Sequence, residues 1–213
     1  MRDEMTMRIV AIDGPVGSGK STVARAVAAR LGLDCLETGA MYRAVAFAVL
    51  RRTTAGDIGP DLEPADVAAV ARAVEIRLGQ DRVLVDGEDV TDEIRTPGVG
   101  RMVSAVAAVP EVRTQLVALQ REWVAAHGGA VVEGRDIGSV VFPDADLKVF
   151  LTASPEERAR RRDDEDADDV RRRDRLDSTR AVSPLVVAHG AVVIDSTGRS
   201  VDEVVDEIVG LLR

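Results

Sequence analysis

Gly14-Pro-Val-Gly-Ser-Gly-Lys20-Ser21 fits G-x-x-x-x-G-K-[ST], a spacing suited to phosphate chemistry. The glycines let backbone amides turn inward around phosphate oxygens, and a helix N-terminus behind them adds positive dipole. Lys20 is expected to reach the β- and γ-phosphates, and the Ser21 hydroxyl to bind Mg²⁺. Gly14, Pro15, Val16, Gly17, Ser18, Gly19, Lys20, Ser21 and Thr22 together are expected to hold ATP. Lysine recurs only at Lys148, the rest of the 28 basic residues being arginine. A chain that otherwise avoids lysine keeps one where an ammonium point charge is wanted.

The elements that must position this loop are also legible. Arg8 to Ile12 reads as a short buried strand, and Ser21 to Leu31 as a helix with Val23, Val27 and Leu31 on one stripe. The alternation continues. Strands are expected at Asp34–Leu36, Ala130–Glu133, Leu147–Leu151 and Val192–Ile194. Helices are expected at Ala40–Arg52, Asp66–Ala73, Val99–Ala108, Val112–Ala126 and Val201–Leu212, with Pro110 breaking the third from the fourth. Pro155–Arg162 reads as a helix capped by Ser154, with Pro155 at its first position and Glu157 at its third. Between them, Val74–Leu78 and Arg82–Val85 alternate around a Gly79-Gln-Asp81 turn, with a third strand starting near Val90. The pattern predicts an α/β fold: a P-loop three-layer α/β/α core around a parallel sheet, a small antiparallel β insertion, and ligands at the carboxyl ends of the strands.

At 213 residues, with 46% apolar content, the chain has material for one core-bearing domain. Aromatics at 2% leave that core to Val, Ala, Leu and Ile. The net charge of −9 argues against a nucleic-acid polymer as partner. The single cysteine, Cys35, excludes an internal disulfide and reads as a buried small hydrophobe. No run of 18 apolar residues and no leader-like segment precedes the loop, so a cytoplasmic protein without membrane partners is expected. Residues 1–6 read as a loose tail.

Arginine is unevenly placed. An acidic run, 163–169, lies between Arg158, Arg160, Arg161, Arg162 and Arg171, Arg172, Arg173, Arg175. These side chains are either a solvated helix face or a phosphate clamp. Further arginines, Arg43, Arg113, Arg135, Arg173 and Arg180, fall at expected strand ends or helix starts. ATP alone does not need so many. A kinase whose acceptor is itself a phosphate does, because two anionic groups must approach each other. Such an acceptor is already ionised near neutral pH, its second pKa being about 6, so no general base is required. His127 and His189 fall in expected loops and read as surface residues.

The chain closely resembles bacterial cytidylate kinases, the (d)CMP kinases of the nucleoside monophosphate kinase group. The resemblance is carried by Ile12-Asp-Gly-Pro with the P-loop, Glu37-Thr-Gly-Ala-Met-Tyr-Arg43, Gly87 to Val90 through Glu93-Ile-Arg95, and Ser104-Ala-Val with Pro110 to Arg113. It continues through Glu133-Gly-Arg-Asp-Ile-Gly138, Val141-Phe-Pro-Asp144, Arg173 to Asp177 and Arg180 to Leu185. It implies Mg²⁺-dependent transfer from ATP to CMP or dCMP, giving CDP or dCDP, in pyrimidine nucleotide metabolism. Lys20, Arg135 and Arg180 are the implied catalytic residues. Arg43, Arg135 and Arg180 look like ligands of the acceptor phosphate. Ser104, Arg113 and Asp136 look like readers of cytosine, and Arg173 and Asp177 like contacts to sugar and phosphates. Thr38 stands where the family usually has serine.

The implied division is one kinase domain over 1–213, acting as a monomer. Its core is 7–37, 111–154 and 181–213, its monophosphate-binding insertion 38–110 and its lid 155–180. Two departures stand out. His189-Gly190 replaces an Asp-Ala pair, and the lid is shorter than usual by about a dozen residues. Either the lid is natively short or a segment is missing from it. Two rivals remain on residue types alone: a small-molecule P-loop kinase, which would want a carboxylate base beside its hydroxyl acceptor, and a nucleotide-binding regulatory protein.

Overall fold

Ile9-Val-Ala-Ile12 carries no polar side chain, and the strand it forms, β1 (Arg8–Asp13), lies third in a five-stranded sheet. The computed structural model describes residues 8–56, 63–79, 82–161, 174–179 and 183–212. The expected tail and half of the expected lid lie outside these residues.

The chain divides into two compact units, 1–37 with 120–213, and 38–119. In the first, β1 is followed by α1 (Lys20–Leu31) and β2 (Asp34–Glu37). After the second unit come β6 (Gly129–Gly134), a π-helical turn Ile137–Val141, and β7 (Leu147–Thr152). Then follow α6 (Pro155–Arg160), α7 over 174–179, β8 (Val192–Asp195) and α8 (Val201–Gly210). The sheet order is β2-β6-β1-β7-β8 and every pairing is parallel. β6 is buried at every position, and β1 at all but Arg8, as expected of parallel strands covered on both faces. Val23, Val27, Val204, Val205 and Ile208 of α1 and α8 join Val10, Ile12, Val131, Val149 and Ile194 of the strands in one core. The carboxyl end of β1 therefore sits between those of β6 and β7, where ligands bind in open α/β sheets. Ser200 and Glu203 close a reciprocal capping box on α8, and Ser154 accepts from the Glu157 amide at the start of α6.

The second unit contains α2 (Thr38–Ala55), α3 (Pro64–Ala73) and an antiparallel sheet of β3 (Ile76–Leu78), β4 (Val83–Val85) and β5 (Glu88–Asp89). A 3-10 turn at Glu93–Arg95 and α4 (Pro97–Ala107) follow, then α5 (Pro110–Ala126), which runs past the unit's end. Its core is built from Val45, Val49, Val70, Ile94, Val106 and Leu116.

Three expectations are corrected. Pro110 is the first residue of α5, a position where its missing N–H is no loss. The third antiparallel strand precedes Val90, because Asp86 and Gly87 both take positive φ and turn the chain at once. Cys35 is half-buried rather than buried, and burial with the nearby Glu133 and Glu37 pushes its thiol up to about 12, so it is inert. Among the described residues no single helix is long and apolar enough to cross a membrane.

Candidate active site

The loop after β1 is held by tight packing. Gly14 has φ +151°, and a Cβ there would stand 2.0 Å from the Leu151 carbonyl oxygen of β7. Gly19 caps α1 at φ +88° and, lacking a side chain, leaves the first-turn amides available to an anion. Lys20 is buried and its Nζ donates to the Pro15 carbonyl at 2.7 Å, inside the loop's own curl. Burial, then the neighbouring Arg135 charge, pushes the Lys20 ammonium down to about 7, against the pull of Glu133, Asp13 and Asp174. A polyphosphate reverses that balance. ATP binding at pH 8 is therefore expected to take up about one proton, with affinity falling as pH rises above 7. The sign follows because the bound state holds the proton that the free state has lost. Calorimetric titrations in buffers of different ionisation heat check it, and uptake near zero would refute the ammonium's role.

The Ser21 hydroxyl donates to Glu133 Oε1 at 3.3 Å. Hydroxyl and carboxylate oxygens suit a hard cation such as Mg²⁺. Among the described residues no group of three His, Cys, Asp or Glu side chains could hold a metal. Thr22 is exposed on the first turn of α1.

Arg135 follows β6 directly. Its Nε donates to Asp177 Oδ2 at 3.0 Å and its Nη1 to the Gly14 carbonyl at 3.1 Å. Asp136, the next residue, is 4% exposed. Arg135, Asp136 and Asp177 are thus gathered at the P-loop, and Arg135 is paired with Asp177. Arg173 and Arg180 lie outside the described residues.

The remaining expected substrate residues belong to the second unit. Thr38 opens α2 and is buried. Arg43, one turn on, donates from Nη1 to the Ile94 carbonyl at 3.2 Å, so it ties α2 to the 3-10 turn. Ser104 on α4 is buried, and so is Arg113 on α5 at 3% exposure. The Arg113 guanidinium lies 5.6 Å from the Tyr42 ring centroid, with Nη1 3.5 Å from the Ala107 carbonyl. A guanidinium so placed is no solvated surface charge. Arg43, Ser104 and Arg113 reach this unit's interior from three different helices.

Sequence reasoning missed or left open several contributors. Asp13 is 3% exposed and accepts from the Ile137 and Gly138 amides, both at 2.8 Å. Burial is the largest influence on this carboxyl, pushing it up to about 6. The available signal was an acidic residue closing an otherwise apolar strand. The arginines in and just after α6 differ residue by residue. Arg160 is exposed and pairs with Glu157. Arg158 and Arg161 instead donate to the P-loop carbonyls of Val16 (3.0 Å) and Ser18 (3.3 Å). Asp174 completes this contact, pairing with Arg158 and accepting from the Val16 amide at 3.1 Å. Their positions three apart, at Arg158 in α6 and at its C-cap Arg161, were the readable hint. His189 is exposed, and His127 is exposed but stacks on Trp123 at 3.7 Å.

The chain is 50% identical over 224 aligned positions to "Cytidylate kinase" of Mycobacterium leprae (strain Br4923), covering 98% of this chain and 97% of that protein. It is 49% identical over 219 positions to the protein of the same name from Desulfitobacterium hafniense (strain Y51), covering 96% and 92%. Setting 224 aligned positions against 213 residues leaves at least 11 without a counterpart in this chain. Its fold is also similar to the crystal structure of an uncharacterized protein from Eubacterium ventriosum ATCC 27560, with TM-score 0.51, 13% identity, and 97% and 98% of the two chains covered. The family model described as "Cytidylate kinase" matches residues 10–213, a span that takes in the P-loop, Arg43, Ser104, Arg113 and the Glu133 to Gly138 segment alike. With the P-loop in one unit and the buried arginine and serine in the other both inside that match, the chain belongs to the cytidylate kinase family.

Proposed function

We propose that this protein transfers the γ-phosphoryl group of ATP to CMP or dCMP, giving ADP and CDP or dCDP. The observation that carries this reading is the buried Lys20 in its glycine loop, beside Ser21 and Glu133, in a chain of this family. The acceptor phosphate oxygen attacks the γ-phosphorus as the bond to the β–γ bridging oxygen breaks. That oxygen is already ionised, so the protein's task is positioning and charge neutralisation. Lys20 and the loop amides hold the donor. Arg43, Arg135 and Arg180 neutralise the acceptor phosphate, while Arg173 and Asp177 hold its sugar and phosphates. Ser21, with Glu133 beside it, would hold Mg²⁺, which when bound supplies charge neutralisation on the phosphates.

Cytosine offers an N4 amino donor and N3/O2 acceptors. Asp136 accepts from N4, and Arg113, with Ser104, faces the acceptors. Uracil places its O4 against the carboxylate and its N3–H against the arginine, which can cost up to ~10⁴-fold. A monomer acting in the cytoplasm is part of the same proposal.

The test is coupled ADP release with ATP·Mg²⁺ and each of CMP, dCMP, UMP, AMP and GMP. Fast release with CMP and dCMP, and release at least about a hundredfold slower with UMP, is expected. Equal rates with CMP and UMP would overturn the base-reading assignment. ADP release independent of any monophosphate would overturn the transfer reaction.

A further inference from the structure

Asp13 ends β1 opposite Gly134, the last residue of β6 in the register of the sheet. Its carboxylate spans the two amides that open the π-helical turn: Oδ1 accepts from Ile137 N and Oδ2 from Gly138 N, each at 2.8 Å. The next residue, Gly14, holds the other side of the same segment, its carbonyl accepting from Arg135 Nη1 at 3.1 Å. Asp136 occupies the N-cap position of the turn at φ −144°, ψ 26°, yet makes no side-chain cap hydrogen bond. The cap comes from 123 residues upstream of it, on another strand.

That arrangement is unusual in cost and in effect. A carboxylate 3% exposed beside a second buried carboxylate, Asp136, is an unfavourable place for charge. Two charge-assisted backbone bonds offset it, and they fix the only segment that carries Arg135 and Asp136. A hydrophobic residue at the end of β1 would serve the core better and would leave these amides uncapped. The charged groups facing Asp13 are Asp136 and Lys20, so an effect on either neighbour must be separated in any test.

We propose that Asp13 is a positioning residue for acceptor recognition: by clamping the Ile137 and Gly138 amides it sets the direction of Arg135 and Asp136, and so the choice of pyrimidine. The inference rests on the assignment of Arg135 and Asp136 to the acceptor. It requires no contact between Asp13 and any substrate.

Asp13→Asn keeps one acceptor oxygen but turns an NH₂ group toward the second amide, and Asp13→Ala removes both acceptors. Expected for Asp13→Asn is a KM for CMP raised about tenfold to a hundredfold and a CMP-over-UMP preference reduced by about the same factor. Asp13→Ala should do at least as much, while the KM for ATP stays within about twofold in both. Hydrogen exchange on the intact protein is expected to show Ile137 and Gly138 amides losing protection in the variants. Unchanged KM for CMP and unchanged preference would overturn the proposal, as would equal increases in KM for CMP and ATP, which would place the effect on Lys20. If the variants fold poorly, exchange in the wild-type protein still decides: fast exchange at both amides overturns the clamp. Asp136→Asn is run beside them. If it too leaves the preference unchanged, the acceptor assignment has failed. If it abolishes the preference and Asp13→Asn does not, only the role of Asp13 has failed.

Discussion

Lys20→Met is expected to lower kcat by about 10³-fold or more while leaving the fold intact. The lysine is buried in the loop with its Nζ held 2.7 Å from the Pro15 carbonyl, so its amine is desolvated before any ligand arrives. On the role proposed for it, the protonated Lys20 would sit in the transition state against oxygens of the transferring phosphoryl group, where the surrounding dielectric is low and each fixed charge is worth more than in water. Methionine fills nearly the same volume and carries none of the charge. Because burial disfavours the ammonium in the free protein, its removal should leave the melting temperature unchanged or raise it. Single-turnover rates with ATP·Mg²⁺ and CMP, beside calorimetric melting, make the comparison. A rate within tenfold of the parent would refute the role of Lys20. A large fall in melting temperature would assign the loss to folding instead.

Arg113→Met is the second large effect: a rise of about 10²- to 10³-fold in KM for CMP, with little change in KM for ATP. Arg113 is 3% exposed and lies 5.6 Å from the Tyr42 ring, so its guanidinium is already stripped of most water and oriented by an aromatic face. On the base-reading role proposed for it, cytosine acceptors would without it give up water for an apolar methyl and remain unpaired. The same substitution should narrow the gap between CMP and UMP, because UMP never used the lost donor fully. Steady-state kinetics on both nucleotides test it. An unchanged KM for CMP would reduce Arg113 to a strut between α5 and the Ala107 carbonyl.

Much of this was legible in the chain because it depends on short-range pattern. Ile9 to Ile12, Val23 with Val27, and Ala130 to Val132 declare strand and helix by apolar spacing alone, and the sheet follows. Gly14 to Ser21 declares its chemistry because the glycines must sit where backbone approaches phosphate. The residues that escaped are those whose meaning lies across the fold. Asp13 acts on amides 124 and 125 residues away, and no local rule distinguishes it from a turn-forming aspartate. Arg158, Arg160 and Arg161 are one composition with two fates, decided by which side of α6 meets the P-loop. Pro110 can stop one helix or start the next, and only the backbone around it says which.

The strand order has a consequence for behaviour in concentrated solution. The three inner strands, β1, β6 and β7, are each six residues long, whereas the outer pair, β2 and β8, have four. Both short borders carry a carboxylate, Asp34 on one and Asp195 on the other, and Asp195 lies two residues from Val193, whose side chain is more than half exposed. A second molecule arriving at either border finds few unpaired amides to template on and meets negative charge there, on a chain already at −9. The sheet that brings phosphate-binding loops together is thereby protected at its margins from edge-to-edge polymerisation.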